Sequence, residues 1–155
     1  MEHHKLGVES LKDSLTLKAE LASLETVTDF VNGFMDNCGY DFKFQTQIDI
    51  VVEEVYVNIC SYAYPDSSGD VTVEIAGEGG RLMLSFADSG FEYNPLEKED
   101  PDITLSAEER EIGGLGVFMV KQIMDEVTYR RTDGKNVLEM AKNADVTGND
   151  QANAE

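Results

Sequence analysis

Residues Ile48–Tyr64 read IDIVVEEVYVNICSYAY, and the rest of the chain can be organised around that stretch. Read as a helix, its apolar residues Ile48, Val51, Val52, Val55, Ile59 and Tyr62 recur at threes and fours and make one buried face. Glu54 and Asn58 are four apart, so they stand one above the other on another face, and Ser61 continues the row. A carboxamide oxygen can hold a hard cation such as Mg²⁺, which takes oxygen ligands and keeps several waters. A carboxylate one turn away can orient or deprotonate a nucleophile beside it. An ordinary solvated helix face would carry the same pair, so the pair alone does not establish chemistry.

Working outward, the 155 residues suffice for one domain with a full core. Hydrophobic residues at 41% and charged residues at 28% give a globular, soluble class. No apolar run approaches the roughly 18 residues of a membrane span, and MEHHKLGVES lacks the apolar core of a secretory signal. Cys38 and Cys60 lie on apolar-patterned helices, where reduced core thiols are expected; this implies a reducing, cytoplasmic location. The formal charge of −19, from 31 acids against 12 bases, argues against direct nucleic-acid binding. It is compatible with a basic protein partner found through electrostatic steering, and equally with acidity that serves solubility alone.

Residues 1–13 form a polar arm, and Ser14–Lys18 alternates as an edge strand. A helix over Leu21–Asn37 carries the face Leu24, Val27, Phe30, Val31, Phe34, Met35 and Cys38, with Gly39 ending it. Asp41 or Thr46 can begin the central helix, and Pro65–Gly69, PDSSG, has turn chemistry. Val71–Ala76 and Arg81–Ala87 alternate as two strands joined through Gly77–Gly80. Residues 92–112 are acidic, contain Pro95 and Pro101 and lack a period, as a functional loop would. A third helix runs to about Asp125, and Val127–Arg131 and Asn136–Ala141 make a last hairpin around Thr132–Lys135. Residues 143–155 are too polar to fold and read as a disordered tail. The order predicts an α+β two-layer sandwich: a mixed, mostly antiparallel sheet covered on one face by about three helices.

Gly113-Gly114-Leu115-Gly116 precedes the third helix. Glycines there let backbone N–H groups approach an anion, and the helix N-terminus adds a positive partial charge. The run matches neither the P-loop nor the dinucleotide-fold signature. Asp88-Ser89-Gly90 follows a strand whose alternation buries Leu82, Leu84 and Phe86. An Asp at that strand end can accept a hydrogen bond from a ligand amine, or simply form an Asx turn.

In this order, the three elements resemble the GHKL superfamily of ATP-binding domains, shared by histidine kinases, gyrase and MutL. Glu54-x-x-x-Asn58 is similar to its N-box, Asp88-x-Gly90 to the first glycine box, and Gly113–Gly116 to the second. The resemblance covers about residues 12–142 and is nearest to the small anti-sigma-factor serine kinases of the RsbW and SpoIIAB type. Ala63-Tyr64-Pro65, Asp88–Leu96, Ile112–Val127 and Tyr129–Leu138 all contribute to it. His3 and His4 lie in the polar arm and no phosphorylatable helix precedes the domain, so a histidine-kinase core is not expected.

The resemblance implies a Bergerat ATP-binding fold over residues 14–142, with 92–112 as ATP lid. It implies that Asn58 binds Mg²⁺ and Glu54 acts as general base. Asp88 would contact the adenine amino group with Gly90 making room for the ring, and Gly113, Gly114, Leu115 and Gly116 would surround the phosphates. The implied partners are a STAS-type anti-anti-sigma protein, phosphorylated on serine, and a sigma factor; a homodimer through the sheet stays open. Glu92 stands where a second glycine is usual, which would restrict the backbone and bring a carboxylate near the nucleotide. Ser61 and Tyr62 replace residues that are often basic or histidine in relatives. Two readings follow: an Mg-ATP-dependent serine kinase, or a nucleotide-binding partner-switching module with little or no kinase activity.

Overall fold

A computed structural model describes residues 10–97 and 114–144. The first strand, β1 (Leu11–Lys18), is followed by a short 3₁₀ turn (Leu21–Ser23), then α1 (Leu24–Cys38) and α2 (Phe42–Asn58), which passes into a π-helical turn (Ile59–Ala63). Next come β2 (Asp70–Glu78), β3 (Arg81–Asp88), a 3₁₀ turn (Pro95–Glu97), α3 (Gly114–Ile123), β4 (Glu126–Thr132) and β5 (Lys135–Asn143).

Both long helices follow from their sequences. In α1, Val27, Val31, Phe34 and Met35 are buried at helical spacing. Gly39 closes it at φ 84°, a left-handed conformation that costs glycine nothing, and donates to Met35 O and Asp36 O. Asp41 caps α2 by accepting the Phe44 N–H at 2.8 Å. Phe44, Ile48, Val51, Val52, Val55 and Tyr56 form the buried face of α2. The fully buried Tyr56 anchors that face: its hydroxyl donates to Glu20 O (2.8 Å) and accepts the Glu20 N–H (3.1 Å).

The strands form one sheet in the order β1-β2-β3-β5-β4, with all four pairings antiparallel. Val71, Val73 and Ile75 of β2, and Leu82, Leu84 and Phe86 of β3, are buried on one face and join the helices in a single core. This is the expected two-layer α+β sandwich. At the β4–β5 hairpin, Asp133 (φ 54°) and Gly134 (φ 76°) make a two-residue turn with both central residues left-handed, the geometry that matches strand twist. The pairing of β3 with β5 sets Asp88 directly opposite Asn136 at one end of the sheet.

Some boundaries differ from the sequence reading. β1 starts at Leu11 rather than Ser14, because pairing with β2 supplies backbone partners that Lys12 and Asp13 do not advertise. The central helix starts at Phe42 with Asp41 as its cap, the earlier of the two starts that the sequence offered. Its last residues, Ile59–Ala63, are π-helical, with Tyr64 N–H bonded to Ile59 O at 3.3 Å. Most of the expected N-terminal arm and tail, Gly113, and residues 98–112 of the expected lid, with Arg110 as the cation of its C-terminal half, lie outside the described residues.

Candidate functional site

Asp88 ends β3 at 4% exposure, and Asn136 faces it from β5 at 5%. The Asn136 carboxamide donates to Asp88 Oδ1 (2.9 Å) and to Phe91 O (2.7 Å). Its oxygen accepts the Tyr93 N–H (3.1 Å) and the Tyr129 hydroxyl (2.6 Å). Asp88 Oδ1 also accepts the Gly90 N–H at 2.9 Å. Burial pushes the Asp88 carboxyl above its ordinary value; the bonds from Asn136 and Gly90 and the Arg131 charge act in the opposite direction.

Gly90 lies against the π turn. A Cβ there would overlap the carbonyl oxygen of Ala63, which accepts the next N–H, that of Phe91, at 2.9 Å. Gly90 does not have a positive φ, so close approach rather than backbone freedom calls for glycine. The Arg131 guanidinium donates to Gly90 O (2.9 Å), and the Tyr64 hydroxyl accepts the Ser89 N–H (2.9 Å) while donating to Asp70 O (3.0 Å). The segment after β3 is thereby held to the end of α2 on one side and to the sheet on the other. The π turn contributes by presenting Ala63 O to that segment, and π turns inside helices recur at functional sites.

One turn apart on α2, Glu54 and Asn58 face the start of α3. A Cβ on Gly116 would overlap the Glu54 carboxylate, so the acid rests against the glycine backbone in α3's first turn. Burial, then the neighbouring Glu53 charge, pushes the Glu54 carboxyl up. Asn58 lines a cavity with Asp88, Asn136 and Tyr93, among apolar walls that include Phe86 and Val117. Its volume, about 40 Å³, holds about three waters and no purine ring. Tyr93, Pro95 and Leu96, from the segment after β3, close one side of the cavity.

Of the sequence-predicted residues, the structure thus gathers Asn58 and Asp88 on one cavity, Gly90 against the π turn, and Glu54 against Gly116. Gly114 opens α3 and Leu115 follows within its first turn. Glu92 is exposed and its φ lies outside the left-handed region, so a side chain is accommodated there without backbone strain. Tyr62 stacks on Tyr93, with ring centroids 4.8 Å apart. The sequence reading missed Asn136 and Tyr93. Asn136 shares the alternation of Leu138 and Met140, so a polar residue on the core-facing side of a strand was the available signal.

Among the described residues, no group of three or more His, Cys, Asp and Glu side chains could hold a metal by itself. A hard cation such as Mg²⁺ would be held here by the Asn58 carboxamide oxygen, with its remaining oxygen ligands supplied from outside the protein. Cys38 and Cys60 are free and half-buried, and burial pushes both thiols up. No helix among the described residues is long and apolar enough to cross a membrane.

Residues 17–142 match the family described as histidine kinase-like ATPase domain. Over 134 residues, 84% of this chain and 82% of the relative, the chain is 27% identical to serine-protein kinase RsbW of Bacillus cereus strain B4264. The same protein of Bacillus mycoides strain KBAB4 is 26% identical over the same shares. In three dimensions the fold resembles a crystal structure of RsbU and RsbW domains from Mycobacterium tuberculosis, with a TM-score of 0.63 at 18% identity. That likeness covers 86% of this chain and 32% of the other.

Proposed function

The chain belongs to the histidine kinase-like ATPase domain family, and from that premise we propose that it binds Mg-ATP and phosphorylates a serine on a STAS-type anti-anti-sigma protein. The observation that carries the reading is the convergence of Asp88, buried and accepting, and Asn58 on one cavity beside the Glu54–Gly116 contact. The base would enter over Phe86 and Val117 with its exocyclic amine on Asp88. The glycine-rich start of α3 would offer backbone N–H groups and the helix dipole to the phosphates. Asn58 would hold Mg²⁺ through its carboxamide oxygen, and the ion's charge would offset that of the phosphates.

Glu54 would take the proton of the serine hydroxyl as its oxygen bonds to the γ-phosphorus and the bond to ADP breaks. A carboxylate raised by burial is better matched to that task than an ordinary one. The resemblance to anti-sigma-factor serine kinases implies a sigma factor as the other partner, in keeping with a regulator that is kinase and sequestering protein in one. A second reading, a nucleotide-binding partner-switching module with little or no kinase activity, draws on Glu92, which is exposed and has its φ outside the left-handed region.

The test is calorimetry with ATP and Mg²⁺, followed by incubation with STAS proteins and mapping of phosphoserine. Binding with phosphoserine supports the kinase. Binding without it selects the module. Absence of binding at millimolar ATP removes both.

A further inference from the structure

Asp88 and Asn136 are the buried polar side chains among the described residues, and they bond to each other. Neither partner of that pair can be rearranged freely. Rotating the Asn136 carboxamide by half a turn would set its oxygen against two acceptors, Asp88 Oδ1 and Phe91 O. It would also set its NH₂ against two donors, the Tyr93 N–H and the Tyr129 hydroxyl. The Tyr93 N–H cannot reverse its role, so the amide orientation is dictated by its surroundings. With both amide hydrogens and both lone pairs engaged, Asn136 has no capacity left for a ligand.

The consequence falls on Asp88. Asn136 and the Gly90 N–H both donate to Oδ1, so the carboxylate is held in one rotamer with Oδ2 as the oxygen that can receive a ligand's donor. The same amide grips Phe91 and Tyr93, the backbone that leads into the residues closing the cavity. We propose that Asn136 is a positioning residue that fixes Asp88 as an acceptor for the base's exocyclic amine and joins that contact to the segment closing the cavity. This rests on the nucleotide reading above and assigns Asn136 no contact with the nucleotide itself.

A purely structural role for Asn136 would also weaken binding when removed, so the pH profile is the deciding readout. Burial pushes Asp88 up and the Asn136 bond is the largest influence holding it down. The other groups acting there are Tyr64 from the end of the π turn, and Tyr129 and Arg131 from β4; Glu92 acts on Tyr129. Of these groups Tyr129 bonds to Asn136, and the influences of Tyr64, Arg131 and Glu92 do not pass through it. Losing its donor therefore lets Asp88 protonate at higher pH, and a protonated Asp88 no longer accepts from the base.

The experiment is ATP affinity by calorimetry from pH 5.5 to 8.5 for wild type, Asn136→Asp, Asn136→Ala and Tyr129→Phe. Each is expressed relative to wild type at the same pH, which cancels the titration of the triphosphate. Asn136→Ala removes the donor without adding a charge and is the deciding variant. Asn136→Asp keeps the oxygen that accepts from Tyr93 and Tyr129 but sets a second carboxyl beside Asp88, which pushes Asp88 up further, and serves if Asn136→Ala does not fold. The expected result is that both Asn136 variants lose affinity relative to wild type on acidification, by up to about tenfold per pH unit between their own Asp88 midpoint and the lower one of wild type. Tyr129→Phe, which leaves the Asn136–Asp88 bond intact, should weaken binding by one factor at every pH. If the Asn136 variants behave like Tyr129→Phe, the positioning role is overturned while the nucleotide site stands. If wild type binds no ATP at any pH, both fall.

Discussion

Gly90 and Gly116 lack side chains because different neighbours crowd them, and the difference is measurable. A methyl on Gly90 would meet backbone, the Ala63 carbonyl; one on Gly116 would meet the end of the Glu54 side chain, which can rotate away. Forcing backbone apart costs about 1–3 kcal/mol, so Gly90→Ala should lower the melting temperature by roughly 3–10 °C. Gly116→Ala should lower it less but displace Glu54 and cut phosphoryl transfer. Equal thermal shifts for the two would sink that distinction. Glu54→Gln should cost serine phosphorylation roughly 10²–10⁴-fold while leaving ATP affinity nearly intact, the span of a lost general base. The exposed Glu53, about 100° around the helix, is the control, and equal rates for Glu53→Gln and Glu54→Gln would remove the assignment. Asp88→Asn, which turns half of an acceptor into a donor, should weaken ATP binding by about 1–3 kcal/mol in calorimetry. Glu54, Asn58 and the glycines were legible because local spacing brings them together on one helix or at one turn. Asn136 was not, because its meaning lies in Asp88, 48 residues away, and appears only once β3 and β5 pair.

The helices and hairpins were legible for the same local reason: Val27, Val31 and Phe34 keep the helical period, and Val71, Val73 and Ile75 keep the period of a strand. The π turn left no such mark, since it depends on a backbone bond between Ile59 and Tyr64 rather than on any side-chain pattern. The contact between α1 and α2 shows another feature hidden from periodicity. Asp49 sits there with Oδ1 buried and unpartnered among the described residues, while Asn32 of α1 bonds to the carboxylate. Burial pushes Asp49 above its ordinary value and the Asn32 bond only partly offsets this. A carboxyl with a raised folded pKa binds its proton more tightly in the native than in the unfolded chain. Its ionisation therefore costs stability as pH rises through the folded value, and protonation restores that stability as pH falls toward the unfolded one. Asp49→Asn, neutral throughout, should melt higher than wild type at pH 7, and the gap should close on acidification toward pH 4. A gap that is absent at pH 7, or that widens in acid, would show that the buried carboxylate does not strain this interface.

Over the whole molecule, 31 acids face 12 bases, and the excess shapes stability more than any single ion pair does. Arg81–Glu126 (2.9 Å) and Arg130–Glu139 (2.6 Å) are well formed but exposed, and pairs of that kind contribute about 0–1 kcal/mol each. Against them stands the mutual repulsion of a formal charge of −19, which favours expansion of the chain and is screened by salt. Salt weakens both effects, but the repulsion is the sum over many pairs and the attraction a sum over few. The melting temperature should therefore rise between about 50 and 500 mM NaCl, where the screening length falls from somewhat above 10 Å to a few ångströms. Sodium chloride is the right probe, because sulfate or phosphate would also strengthen apolar burial and could occupy an anion site. The same field bears on encounter with partners: a basic surface should associate with this chain more slowly as salt is added, and an acidic one should not. Thermal melts across the salt series decide the first point, and a melting temperature that falls with NaCl would mean that specific ion pairs, rather than net charge, dominate the electrostatics of the fold.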